Sequence, residues 1–129
     1  MKQFRNPPDI HAPVAAYTHQ IAISGSERLL ILSGQVGMRQ DGSISEDPIE
    51  QIEIAFDNLI RNLRAADMDV EDIVKLTLYL VGDMGGDRRR AAISAALGDH
   101  KPCMTLVYVA GLAAPIYKVE LDAWASKAE

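Results

Sequence analysis

The chain has 129 residues, and 48% of them are apolar, which is the composition of a globular protein with one domain over residues 1–129. The net charge of −5 opposes binding to a phosphate backbone, so we expect no nucleic-acid partner. No apolar run approaches the ~20 residues that span a bilayer, and the proline-rich N-terminal segment lacks the apolar centre of a signal peptide. We therefore expect a cytoplasmic protein with no membrane partner.

The N-terminal part of the chain predicts an extended arm followed by a hairpin. Residues 1–15 lack regular periodicity and contain three prolines. In the next segment, alternate residues share one face of a strand: Tyr17, His19, Ile21 and Ile23. The turn signal SGSE separates this strand from the apolar segment RLLILSG, so we expect a hairpin over residues 16–33. The segment RQDGS predicts a second turn.

The clearest helix start lies in the segment SEDPIEQ. Asp47 is suited to the N-cap, Pro48 to the first helical position and Glu50 to the third. Apolar residues then recur at spacings of three and four: Ile49, Ile52, Phe56, Leu59, Ile60 and Leu63. On the opposite face, Asp57 and Arg61 form a favourable i,i+4 pair. This pattern predicts a helix that packs on a sheet.

The second half of the chain predicts three more strands and one helix. The segment DIVKLTLYLVGD, over about residues 72–82, is rich in β-branched and aromatic residues, as strands are. The segment GGDRRRAAISAALGD predicts a shorter helix that ends at Gly98. Its small residues would allow close approach to the sheet: Ala91, Ala92, Ala95 and Ala96. The segments CMTLVYVA and YKVELDAWA predict the last two strands.

The predicted order is β-β-α-β-α-β-β, an α+β fold in which two helices cover one face of a mixed sheet. Both faces of the segment DIVKLTLYLV are largely apolar, whereas the helices can cover only one of them. An uncovered apolar sheet face favours a partner subunit. We therefore expect an oligomer.

Several segments in the same order resemble the Rid family, also called the YjgF or L-PSP family. They are FRNPP, Tyr17, LSGQVG, Q…FDNL, DIVKLTLYL, Pro102 with the strand after it, and VELDAWA. The resemblance implies a chorismate mutase-like (YjgF-like) fold and a homotrimer that packs its sheets into a barrel, with small-molecule clefts between subunits. For the best-known branch it also implies hydrolysis of imines and enamines derived from amino acids, without cofactor or metal.

The resemblance also implies which residues form the site. Glu120 would lie near the attacking water as the catalytic residue. The substrate-binding candidates are Tyr17, Ser33, Gly34, Gln35, Met104 and Thr105. In the deaminase branch, an arginine two residues after the strand-opening proline holds the substrate carboxylate, but Met104 stands at that position here and has neither charge nor donor.

Two functions follow from this departure. The first is hydrolysis of a small imine or enamine with an altered substrate preference. The alternative is a non-catalytic trimeric module that binds a small molecule or a protein. Some members of the family have been described as ribonucleases or translation inhibitors, but the negative charge does not favour that activity.

Each candidate also has a purely structural interpretation. Glu120 would be a solvated residue on an edge strand, Tyr17 a packing residue and Met104 an apolar wall. Cys103, the only cysteine, would be a small buried residue, since a nucleophilic thiol needs a base or a cationic setting. His100 would lie in a surface loop.

The chain also offers other cations. The run Arg88–Arg90 would be a solvated helix face, or it would bind an anionic ligand or partner. Arg28 or Arg39 could replace the missing anchor.

Overall fold

The computed structural model describes residues 1–129. Its elements are β1 (Lys2–Arg5), β2 (Gln20–Ile23), β3 (Glu27–Val36), α1 (Pro48–Ala65), a 3₁₀ turn (Val70–Asp72), β4 (Ile73–Leu80), α2 (Gly86–Leu97), β5 (Cys103–Tyr108) and β6 (Val119–Ala128). Four strands form one sheet in the order β3-β6-β4-β5, with β4 and β5 parallel and the other pairs antiparallel. Both helices contribute to one core on this sheet, which confirms the predicted α+β architecture. Neither helix has the length and apolar character needed to cross a bilayer.

The N-terminal segments depart from the prediction. Strand β1 lies inside the expected arm and pairs antiparallel with β2, with Lys2 opposite Ile23. These two strands form a separate sheet, so the hairpin expected over residues 16–33 is wrong. The reason is that Leu30 and Leu32 of β3 pack against the core, which holds β3 in the larger sheet beside β6. The backbone of β2 then pairs with β1 instead.

Helix α1 begins as predicted. The side chain of Asp47 accepts a hydrogen bond from the backbone N–H of Ile49 at 3.0 Å, with Pro48 at the first helical position. The predicted apolar stripe is buried except for Ile60, which is only partly covered. The ion pair on the opposite face is also present, with 2.8 Å between Arg61 Nε and Asp57 Oδ2.

Helix α2 ends at Gly98, whose φ of 58° lies in the left-handed region as predicted. The alanine face is only half correct, because Ala92 and Ala96 pack against the core while Ala91 and Ala95 are exposed. The buried anchors of the helix are Ile93 and Leu97, four residues apart.

The sheet face opposite the helices is uncovered, but its composition differs from the prediction. Alternate residues of strand β4 are buried on the helix side. The other face of the strand carries Lys75, Thr77 and Tyr79. The expectation of two apolar faces on this strand was therefore wrong. The apolar side chains of the uncovered face come from the neighbouring strands: Leu29 (54% exposed), Ile31 (59%), Val107 (37%) and Trp124 (47%). We call this surface the bare face.

A buried glutamine fixes α1 to the entrance of β6. Gln51 is 1% exposed, and its Nε2 donates to the carbonyls of Ser45 and Ile116 at 2.8 and 3.0 Å. Its Oε1 accepts from the backbone N–H of Lys118 at 2.9 Å. Since a buried amide must have its partners, these bonds fix the chain two residues before Glu120. Gly37 crosses Gln51 so closely that an added Cβ would lie 2.5 Å from the carbonyl oxygen of Gln51.

We predict that Gly37→Ala destabilises the fold by about 1–3 kcal/mol, because the added methyl meets backbone atoms that cannot move aside. Gly111→Ala is the matched control, since an added Cβ there meets nothing within 4 Å. Urea unfolding followed by circular dichroism measures both variants. Equal urea midpoints for the two variants would contradict the close packing of Gly37 against Gln51.

Candidate functional site

Six of the seven predicted site residues divide into two groups within one protomer, one on each side of the sheet. Glu120, Ser33, Gly34 and Thr105 lie on the bare face. Tyr17 and Met104 lie on the helix side, where they line a pocket. The register explains the separation of Met104 from Thr105, because Met104 pairs with the buried Leu76 and the next residue necessarily points the other way.

Glu120 lies near the middle of the bare face. It is half-buried and sits on β6 between Val36 of β3 and Tyr79 of β4, so the expectation that it lies on an edge strand was wrong. Its carboxylate lies against Gly34, where an added Cβ would come within 2.5 Å of Oε2. The pairing of β3 with β6 shifts register between Leu32 and Gln35. This irregularity, together with the missing side chain of Gly34, makes room for the carboxylate.

Polar side chains surround Glu120 on the bare face. The hydroxyl of Tyr79 donates to Asp122 Oδ2 at 3.0 Å. This hydrogen bond, partial burial and the negative charges of Asp122 and Glu120 raise the pKa of Tyr79. The phenol therefore remains a proton donor, and it is directed to Asp122. The carboxylate of Glu120 has no hydrogen-bond partner in the protomer, so it is available to accept a hydrogen bond from water or a ligand.

Thr105 is an exposed residue of the same face. Its hydroxyl accepts a hydrogen bond from Lys75 Nζ at 2.8 Å. Gln35, by contrast, belongs to neither group: its Nε2 donates to the carbonyl of Ser33, and its Oε1 accepts from Asn62 of α1. The side chain of Gln35 is thus directed toward α1 and away from Glu120.

Tyr17 reaches the pocket because the next residue ties the N-terminal segment to the entrance of β5. The backbone N–H of Thr18 donates to the carbonyl of Pro102 at 3.1 Å, and its hydroxyl donates to the carbonyl of Lys101 at 2.6 Å. Thr18 is buried. The phenol of Tyr17 accepts from the backbone N–H of Val14 at 3.3 Å, so its ring is held at the rim of the pocket.

The pocket has a volume of about 440 Å³ and lies between the N-terminal segment, α2 and β5. Most of its wall is apolar, and Met104 packs against the core there. Its lining comprises residues 14–17, Arg89, Arg90, Ile93, Ser94, Met104 and Leu106. The interpretation of Met104 as an apolar wall residue therefore agrees with the structure.

The three consecutive arginines of α2 have different surroundings. Arg88 donates to Asp47 at 3.0 Å, and Arg90 pairs with Asp87 within the helix. Arg89 lines the pocket, where its Nη1 donates to the hydroxyl of Tyr108 and its guanidinium lies 6.0 Å from the centre of that ring. Its Nε is shielded from solvent and has no hydrogen-bond partner. The interpretation of the run as a solvated face was thus wrong for Arg89.

Neither of the other two arginines proposed as anchors reaches the pocket. Arg28 donates to the carbonyl of Ala66 at 3.3 Å, and Arg39 pairs with Glu50. Helical spacing does single out Arg89, because it precedes the buried Ile93 by four residues and so shares its face.

Cys103 and His100 have structural roles. Burial raises the pKa of the Cys103 thiol, more than the nearby Lys75 lowers it, so the thiol is not activated as a nucleophile. His100 is half-buried rather than part of a surface loop. Its Nε2 lies 2.7 Å from the carbonyl of Ile73, and its ring meets Phe4 edge-on. No three side chains among His, Cys, Asp and Glu are grouped as a metal site would require.

The family model described as endoribonuclease L-PSP matches residues 9–127. The chain belongs to the L-PSP family, also called the Rid or YjgF family. A curated relative, RutC family protein YjgH of Escherichia coli (strain K12), is 39% identical over 69 residues. That match covers 54% of this L-PSP chain and 52% of the relative, so it spans about half the length of each.

Solved structures of other proteins share this L-PSP fold. A Rid family protein of unknown function, YyfB from Yersinia pestis, superimposes with a TM-score of 0.82 at 24% identity, over 96% of this chain and 97% of that one. The structure of protein YjgH gives a TM-score of 0.67 at 31% identity, over 88% and 85% of the two chains. These similarities establish the fold in which Tyr17, Met104 and Glu120 are placed.

We predict that Thr18→Val loosens the wall of the pocket in this L-PSP protein. The change keeps the shape of the side chain but removes the hydroxyl that donates to the carbonyl of Lys101, which costs about 1 kcal/mol. Hydrogen exchange should show faster exchange of the residue 18 amide, and urea unfolding a lower midpoint. Thr18→Ser keeps the hydroxyl and is the control. A valine variant with an unchanged midpoint and a protected amide would contradict the role of Thr18.

Proposed function

We propose that this protein is a homotrimer that hydrolyses a small imine or enamine in clefts between its protomers. The observation that carries the proposal is the carboxylate of Glu120, which lies partly buried on an uncovered sheet face without any hydrogen-bond partner of its own. Such a carboxylate is suited to hold and deprotonate a water molecule. In one protomer Glu120 and the pocket lie on different sides of the sheet, so the proposed site joins them across a subunit boundary.

The bare face supports the assembly. Its four large apolar side chains, from β3, β5 and β6, are exposed to solvent in the protomer. Burying each completely would contribute roughly 1.5–3 kcal/mol, and apolar patches of this kind mark interfaces. Packing of bare faces would also enclose Glu120 and its polar neighbours, which strengthens electrostatic interactions there. A trimer is the assembly that the family resemblance implies.

The proposed chemistry requires a positioned water and a held substrate. Glu120 accepts a proton from water as the oxygen attacks the electrophilic imine carbon, and the C–N bond of the resulting adduct then breaks with transfer of a proton to nitrogen. The products are a carbonyl compound and ammonia. Tyr17 presents its hydroxyl at the rim of the pocket, and Met104 gives the pocket an apolar wall. The substrate therefore has an apolar part.

We predict that Glu120→Gln lowers kcat for imine hydrolysis by about 10²–10⁴-fold, as the loss of a general base does. The assay generates 2-iminopropanoate and its branched analogues from amino acids with an amino acid oxidase and follows loss of the imine. Asp122→Asn is the matched control, because its amide oxygen still accepts from Tyr79. If the wild-type protein is no faster than buffer with any substrate in the series, hydrolysis of imines is excluded.

We predict that Ile31→Glu dissociates the assembly, because it replaces one of the exposed apolar side chains of the bare face with a charge, which is costly to bury in an interface. Sedimentation velocity at micromolar concentration measures the change from trimer to protomer. Ile10→Glu is the control, since Ile10 is similarly exposed but lies outside the sheet. A wild-type protein that sediments as a single protomer would show that the bare face has no partner of its own kind.

A second candidate function is binding without turnover. The apolar wall at Met104 favours it, because the pocket would retain a ligand even if Glu120 activates no water. Thermal unfolding distinguishes the two functions, since a ligand that is bound but not consumed raises Tm for as long as it is present. Ribonuclease activity is not proposed, because the chain carries a net charge of −5 and the centre of the bare face carries Glu120 and Asp122, which repel a phosphate backbone.

A further inference from the structure

We propose that the pocket binds an organic carboxylate with an apolar side chain, and that Arg89 of α2 is the residue that holds the carboxylate. This inference rests on the proposed function only in taking the pocket as the substrate site, and it names the class of substrate. Its basis is the set of contacts made by the guanidinium of Arg89.

Arg89 is the arginine of its run whose charge is left uncompensated. Arg88 and Arg90 each pair with an aspartate, whereas Arg89 forms no ion pair and donates a hydrogen bond to the neutral phenol of Tyr108. Its Nε is shielded from solvent without a partner, and Nη2 donates no hydrogen bond. A guanidinium presents adjacent N–H groups in a planar fork that matches the two oxygens of a carboxylate. A half-buried guanidinium with no ion-pair partner favours binding of an anion, because leaving its charge unpaired costs free energy.

The remaining wall determines the rest of the ligand. Met104, Leu106, Ile93 and Val14 contribute apolar surface to the same pocket as the guanidinium. About 440 Å³ accommodates a molecule of roughly amino-acid size or somewhat larger. An unbranched small acid would leave this apolar surface in contact with water, while a branched or aromatic side chain would cover it. A methionine also adapts its shape to different apolar side chains.

A single unpaired guanidinium favours a carboxylate over a phosphate. A phosphate monoester carries up to two negative charges near neutral pH, and Arg90, the second arginine in the wall, is already paired with Asp87. A carboxylate carries one negative charge and is matched by a single guanidinium. Charge matching therefore selects a monocarboxylate.

The experiment measures binding by calorimetry on the assembled protein, with 4-methyl-2-oxopentanoate as the probe. Arg89→Ala should weaken binding by about 10- to 100-fold, the usual effect of losing a charge-assisted hydrogen-bond pair. Arg88→Ala is the charge-matched control on the same helix, and it should change Kd by less than about twofold because its side chain is an exposed partner of Asp47. Arg89→Gln is the second variant, and circular dichroism checks the folding of each.

Two ligand controls separate the parts of the claim. The methyl ester of the probe lacks the charge and should bind about as weakly as the probe binds to Arg89→Ala. Acetate lacks the apolar side chain and should also bind weakly. The double variant Arg89→Ala/Met104→Arg moves the guanidinium to another wall of the same pocket and should recover part of the lost affinity.

The outcomes distinguish this inference from the proposed function. If the acid binds through Arg89 and Glu120→Gln retains that binding, the inference stands even when no imine is hydrolysed. If imines are hydrolysed but Arg89→Ala and Arg88→Ala bind the probe equally, the inference is overturned and the hydrolytic function stands. Equal affinity for the acid and its ester, or no binding of the acid by the wild-type protein, overturns the inference as well.

Discussion

Two helices can cover only one face of the four-stranded sheet. The functional candidates of this chain lie on the uncovered face and at the margin of the covered face. Helices α1 and α2 bury the apolar residues of β4 and β6, among them Leu76, Leu78 and Leu121. The other face keeps Glu120 near its centre and apolar side chains on either side of it. The pocket lies at the margin of the covered face, where α2 meets β5. A partner subunit is the simplest way to complete both places at once.

The N-terminal segment completes the pocket, although it adds little to the core. Thr18 attaches this segment to the entrance of β5 through two hydrogen bonds to backbone carbonyls. The attachment places Tyr17 in the wall of the same pocket as Arg89 and Met104. Strand β1 closes the other end of the segment by pairing with β2. The geometry of the pocket therefore depends on two hydrogen bonds that Thr18 donates to backbone carbonyls more than 80 residues away in sequence, and packing of the sheet alone would not produce it.

The sequence was sufficient to predict features that depend on local chemistry. The start of α1 at Asp47 and Pro48, its buried stripe and the end of α2 at Gly98 all follow from hydrogen bonding and helical spacing within a few residues. The α+β architecture followed from the order of these elements. The apolar character expected for both faces of β4 was wrong, because apolar residues in the segment were counted without assigning each one to a face.

Other features depend on which strands become neighbours, and no local pattern fixes that. The pairing of β2 with β1 and the central position of β6 both required the three-dimensional arrangement. The same holds for Met104 and Glu120, whose separation onto opposite sides of the sheet follows from the register of β4 with its two neighbours. Arg89 could have been singled out by its spacing from Ile93. Its lack of an ion-pair partner could not, because the structure decides that the nearby aspartates pair with Arg88 and Arg90 instead.

The central claim is that Glu120 of one protomer and the pocket of another form a single site. A crystal structure of the assembled protein tests it most directly, through the position of the Glu120 carboxylate relative to the neighbouring Tyr17 and Met104. The account predicts that this carboxylate faces the mouth of the neighbouring pocket and that one ordered water bridges the gap, with hydrogen bonds of about 2.8 Å. An assembly in which Glu120 faces bulk solvent, or in which no neighbouring protomer borders the pocket, would contradict it.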